Sequence, residues 1–190
     1  MGFQSLNKLF LDRVEDNLDK PFLWSKINKE WKSITWEETS KKVKEFSSGL
    51  KAHGIKPGDR VVIVSENRPE WIISDLAITM IGGITVPAYT TNTEDDHHYI
   101  LEHSGAKAVI TSNNILANRL ALATTRTKEC KILITIDNYN GFEPEGLNIL
   151  HSFVLVVANA NLFAKMLFDA TKTRICALLE VLRRKQTGST

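Results

Sequence analysis

The chain has 190 residues, 43% of them hydrophobic and 24% charged, with a formal net charge of +2. That length fits about one domain, and the apolar fraction is too high for intrinsic disorder. Two cysteines, Cys130 and Cys176, exclude a disulfide scaffold and a multi-cysteine zinc site, and the near-neutral balance excludes a dedicated nucleic-acid binder.

The opening segment predicts a helix with Phe3, Leu6, Leu9, Phe10 and Val14 on one face. Residues 21–27 and 31–35 follow as two short strands joined by the polar turn Asn28-Lys29-Glu30. Thr35-Trp36-Glu37-Glu38 has the pattern of a capping box, in which hydroxyl and carboxylate each satisfy a free backbone N–H at a helix start. The helix behind it carries Trp36, Val43, Phe46 and Leu50 at helical spacing and stops at Gly54. Lys56-Pro57-Gly58-Asp59 is a turn, since proline presets one dihedral and glycine tolerates positive φ.

A regular alternation begins there. Strands are predicted at 60–65, 84–89, 107–111 and 131–136, and helices at 69–81, 94–103 and 114–124. Strand starts recur at about 23 residues, the length of a strand, a helix and a return crossover. The strands are continuous apolar runs, as expected when both faces of a sheet are covered. The expected fold class is α/β, a parallel-sheet layer with helices on both faces.

Composition shifts near residue 150. Residues 1–150 carry a net charge of −2; residues 151–190 carry six basic residues against Asp169 and Glu180. The second segment is read as an atypical basic helical or disordered tail, separate from a first unit at 1–150. A stripe of Phe163, Leu167, Ile175, Leu178, Leu179 and Leu182 ending in Arg183-Arg184-Lys185 would suit a partner or, more weakly, a membrane surface. Acids at Asp12, Glu15, Asp16 and Asp19 exclude a signal or transit peptide, and Asn159, Asn161 and Lys165 break the longest apolar stretch. The default expectation is a cytoplasmic protein.

A doubly wound sheet suggests a nucleotide, so the first strand-to-helix turn matters most. It reads Ser65-Glu66-Asn67-Arg68-Pro69-Glu70, with no glycine to let the backbone approach a pyrophosphate and with two carboxylates to repel one. No Walker-type Gly-Lys-Ser/Thr run occurs. Glu94-Asp95-Asp96-His97-His98, with Glu102 and His103, is dense in metal-ligand types. It reads better as an acidic first turn complementing the helix dipole, with the histidines on a solvated face. Ser65, Ser74 and Ser104 lack the glycine-flanked elbow of a hydrolase nucleophile, and neither cysteine has a histidine at motif spacing. Glu37 and Glu38 fit capping, and Trp24, Trp31, Trp36 and Trp71 fit core or interface packing. No catalytic, cofactor-binding or metal-ligating residue is assigned.

Three strings carry a resemblance: Gly54-Ile55-Lys56-Pro57-Gly58-Asp59-Arg60-Val61, Glu66-Asn67-Arg68-Pro69-Glu70-Trp71, and Gly82-Gly83-Ile84-Thr85-Val86-Pro87-Ala88-Tyr89 followed by Thr90 and Thr91. Over residues 5–137 the chain resembles the N-terminal part of AMP-forming acyl-CoA synthetases of the adenylate-forming superfamily, most closely the long-chain fatty acid branch. The resemblance implies an incomplete N-terminal scaffold subdomain whose first turn holds no phosphate. It implies ATP, Mg²⁺, CoA and a fatty acid as the ligands of a parent ligase. The family's Thr-Ser-Gly-Thr-x-Gly-x-Pro-Lys-Gly loop, adenine-site aromatic, ribose-binding aspartate and C-terminal lysine have no counterpart in this sequence. Gln186-Thr187-Gly188-Ser189-Thr190 echoes the loop only in part.

The expectation is therefore an N-terminal fragment of a long-chain acyl-CoA synthetase, inactive alone, binding none of those cofactors tightly and no nucleic acid. The alternative is a non-catalytic α/β binding or dimerisation module. No strand is expected beyond residue 136, so the strand at 131–136 is left with an open edge or an exposed apolar face, which predicts marginal stability and self-association.

Overall fold

The computed structural model describes residues 5–150. The expectations for the tail at 151–190, and for Phe3, lie outside the described residues. Helix α1 (Leu6–Asn17) starts at Ser5, whose hydroxyl accepts from the Lys8 amide at 3.2 Å. It buries Phe10 and Val14, while Leu6 and Leu9 remain exposed, so its packed face is narrower than the apolar spacing suggests.

Strands β1 (Pro21–Ile27) and β2 (Glu30–Thr35) form a separate antiparallel hairpin. The turn is two residues long. Asn28 and Lys29 both take positive φ (52° and 69°), whose twist matches the flanking strands, and Glu30 therefore belongs to β2. The expected capping box is formed at the start of α2 (Trp36–Ala52). The Thr35 hydroxyl accepts from the Glu38 amide at 3.1 Å, and Glu38 Oε2 accepts from the Thr35 amide at 2.8 Å.

The remaining elements are β3 (Arg60–Val64), α3 (Pro69–Met80), β4 (Ile84–Ala88), α4 (Glu94–Ser104), β5 (Ala108–Thr111), α5 (Asn114–Thr125), β6 (Ile132–Thr135) and β7 (Asn148–Leu150). They build a five-stranded parallel sheet in the order β4-β3-β5-β6-β7. The first strand sits inside the sheet, with one return on one side and the later returns on the other.

Side-chain alternation along the central strands divides the interior in two. Val61, Ile63, Ala108, Ile110 and Ile134 face Phe46 and Leu50 of α2 and Ile73 and Ile78 of α3. Val62, Val64, Val109 and Leu133 face Leu101 of α4 and Leu116 and Leu120 of α5. All four residues Val61–Val64 have no exposed surface. Helices thus cover both faces, as expected.

One expectation fails. The strand at 131–136 has no open edge, because β7 pairs with it in parallel from Ile132–Asn148 to Ile134–Leu150. Residues 148–150 are too short and too polar at Asn148 to announce a strand; a 12-residue excursion packed on α5 delivers them. In that excursion the Tyr139 hydroxyl donates to the Phe142 carbonyl at 2.5 Å, and Asn118 Oδ1 accepts from the Phe142 amide at 3.1 Å. Among the described residues the sheet edges are β4 and β7. No helix among them is long and apolar enough to cross a membrane.

Arg60 ties the sheet to α4. Its Nε donates to Ser104 O and its Nη2 to Gly105 O, both at 2.7 Å, satisfying carbonyls that a helix end leaves unpaired. Gly105 has left-handed φ (60°), and a Cβ there would lie 2.6 Å from Arg60 Nη2.

Two stability effects follow, both readable from urea unfolding. Ile63→Ala removes a fully buried side chain and is expected to cost about 2–5 kcal/mol. Arg60→Ala leaves two helix-terminal carbonyls without their donor and is expected to cost about 1–3 kcal/mol.

Candidate functional site

In an open parallel sheet the carboxyl ends of the strands are where loops from different units converge, and there ligands are met. Here the loops after β3, β4, β5 and β6 meet. Between the first two lies a cleft of ≈440 Å³ lined by Ser65, Glu66, Asn67, Trp71, Pro87 and Tyr89. Its lining includes the Trp71 indole and the largely exposed Tyr89 ring.

The loops are cross-tied. Asn113 Nδ2 donates to Glu66 Oε1 at 3.0 Å, while Asn113 Oδ1 accepts from the Leu116 amide and caps α5. Arg68 Nε donates to Glu70 Oε2 at 2.8 Å and Nη1 to Asp137 Oδ1 at 3.0 Å. Burial opposes the charge on Arg68, but the two carboxylates outweigh it and the net shift is upward. Arg119 of α5 donates to the carbonyls of Asn92 (2.5 Å) and Thr90 (3.3 Å), fastening the loop after β4. Arg126 pairs with Glu94 and Asp95 at the start of α4.

These ties decide what the turn can hold. A triphosphate needs backbone amides or free cations. The turn at 65–70 presents two carboxylates and no glycine, and its one cation is already paired twice. The residues present do not fit a nucleotide phosphate. No side chain in the cleft forms a nucleophile–base pair.

The residues at 94–103 are dispersed by their packing. Glu94 and Asp95 face Arg126, and Asp96 completes a second capping box with Thr93. Glu102 accepts from the Lys128 amide, and His103 stacks on Tyr99 at 5.2 Å. Among the described residues no group of three such side chains converges as a metal site. His97 corrects the expectation of a solvated face: it is 1% exposed, and neither ring nitrogen has a hydrogen-bond partner. Burial and the nearby Arg119 push its pKa down, with Asp96 opposing.

The three serines donate to backbone carbonyls: Ser65 to Glu66, Ser74 to Glu70 and Ser104 to Ile100. Cys130 is buried just ahead of β6, and burial pushes its thiol up to about 12. Trp36 stacks on Phe22 at 3.7 Å, and Trp71 packs on the core; Trp24 and Trp31 do not join it and are 55% and 66% exposed. Sequence reading missed the roles of Arg60, Arg68 and Arg119. The partners that link them to other units lie 27 to 69 residues away, and no local motif marks them.

Residues 10–154 match the family model for AMP-binding enzymes, and the chain belongs to that family. A long-chain-fatty-acid–CoA ligase of Mycobacterium tuberculosis is 30% identical over 113 residues, which is 60% of this chain and 19% of the relative. A mitochondrial acyl-coenzyme A synthetase of Homo sapiens is 31% identical over 138 residues, 68% of this chain and 24% of the relative. The fold matches the crystal structure of coronafacic acid ligase from Pectobacterium brasiliense with a TM-score of 0.71 at 19% identity, over 82% of this chain and 29% of that one. The chain thus spans a fifth to a quarter of the length of these curated relatives.

The environment of His97 sets a pH dependence. Unfolded, it takes up a proton near its ordinary value of about 6.5; folded, it does so only at lower pH. Between those values the unfolded state binds more protons, so stability falls as pH falls. The slope due to this group is at most about 1.4 kcal/mol per pH unit. His97→Leu is expected to remove that part of the acid limb, seen as a smaller drop in the urea midpoint between neutral and mildly acidic buffer than in the parent chain.

Proposed function

We propose that this chain is the N-terminal scaffold of an ATP-dependent acid–CoA ligase whose acid is a long-chain fatty acid. The reaction joins the acid carboxylate to the α-phosphorus of ATP with loss of pyrophosphate. The CoA thiol then displaces AMP to give the thioester. The observation that supports this most is the family match across residues 10–154, together with long-chain ligases among the relatives.

What residues 5–150 do in that reaction is positional. The sheet holds the loops at its carboxyl end at fixed spacing, and Arg68, Asn113 and Arg119 immobilise them against one another. The cleft between Trp71 and Tyr89 offers an apolar wall to whatever packs there. Because the turn at 65–70 does not fit a phosphate, ATP, Mg²⁺ and CoA are held by other parts of the ligase, and the 190-residue chain is inert alone.

The test is pyrophosphate release with ATP, Mg²⁺ and a long-chain fatty acid. The chain by itself is expected to release none. A chimaera in which it replaces the matching segment of the mycobacterial long-chain ligase is expected to release pyrophosphate with long-chain acids in preference to short or aromatic ones. Turnover by the chain alone would overturn its inertness, and a reversed acid preference in the active chimaera would overturn the substrate class.

A further inference from the structure

The hairpin β1–β2 presents a pattern that neither the core nor the carboxyl-end cleft uses. Its register places Trp24 opposite Ser33 and Lys26 opposite Trp31, so both tryptophans and Lys26 share one face. The reverse face carries Leu23 and Ile34 against the body of the domain. Towards the turn the hairpin runs past that support, and on this reverse face Ile27 is 47% exposed. From Pro21 to Thr35 the charges are Lys26, Lys29, Lys32 and Glu30.

A strand pair facing water on one side ordinarily alternates apolar-in with polar-out. Here the outward face carries the two largest side chains available. Tryptophan favours sites where one end is apolar and the other wet, and lysine can lay its stem along apolar surface while its ammonium stays in water. A protein partner is the poorer fit, because protein–protein interface cores are depleted in lysine. An anionic bilayer surface meets both halves of the pattern at once.

We propose that the Trp24–Trp31 face of the hairpin docks on an anionic lipid surface. The indoles enter the headgroup region, and Lys26 on the same face and Lys29 at the turn lie against the anionic headgroups. Electrostatics and apolar burial act together, since either alone gives marginal surface binding. The tip, with the Asn28-Lys29 turn, leads the contact. This docking does not depend on the ligase reading above.

The experiment is flotation of the full 190-residue chain with vesicles of phosphatidylcholine alone or phosphatidylcholine with phosphatidylserine. Tryptophan fluorescence is read in parallel with brominated lipids as quenchers. The parent chain is expected to float only with phosphatidylserine, with quenched and blue-shifted emission. Charge reversal by Lys26→Glu with Lys29→Glu is expected to weaken binding more than about tenfold, from roughly fivefold per lysine lost. Trp24→Ser with Trp31→Ser is expected to abolish the quenching and weaken binding by about tenfold or more. All four positions are exposed, and circular dichroism verifies that the variants fold. Failure of the parent to float overturns the proposal. So does flotation that survives both double variants, which would move lipid binding to another segment. Concentration-dependent dimerisation that needs Trp24 and Trp31, without flotation, overturns it in favour of a second copy of the chain.

Discussion

Everything in this domain depends on four consecutive residues, Val61–Val64, being removed from water on both faces at once. A strand exposes alternate side chains to opposite sides, so a four-residue apolar run requires two separate cores. The first is filled by α1, α2 and α3, the second by α4 and α5. Each later unit can return to the sheet only in parallel, because a covering helix intervenes before the next strand. Parallel order, strand sequence and helix placement all descend from that one burial requirement.

The same requirement shapes the carboxyl end. Each β-to-α loop is held to a loop or helix of another unit by one polar side chain: Asn113 reaches Glu66, Arg68 reaches Asp137, and Arg119 reaches the carbonyls after β4. Side chains that a nucleotide-binding α/β protein would point at phosphate are spent here on one another. The outcome is a set of cross-tied loops around a cleft bordered by Trp71 and Tyr89.

The hairpin stands apart from both effects. It is hydrogen-bonded only to itself as a sheet and leans on the helices through Phe22, Leu23 and Ile34. Its outward Trp24 and Trp31 are 55% and 66% exposed and stay outside both cores, and the proposed surface role rests on that exposure. Trp36, twelve residues on from Trp24, shows the contrast: it stacks on Phe22 within the core.

By itself the sequence determined the α/β class, the order of elements from Ser5 to Thr135 and most of their limits. Those depend on local physics: apolar period, the capping box at Thr35, and the glycine at the end of α2. The resemblance in the strings at 54–61, 66–71 and 82–89 was equally legible, as was the unfitness of a glycine-free, doubly acidic turn for phosphate. Only the tertiary structure decided the rest. That β7 closes the flank of β6 depends on an excursion pinned by Asn118 and Tyr139, and three residues are too few to show a period. That His97 is buried while His98 and His103 are not follows from which side of α4 meets α5, and the acidic run around it masks that face. The arginine ties join residues far apart in the chain, and a pairing of that range is set by how the units stack, which no local pattern encodes.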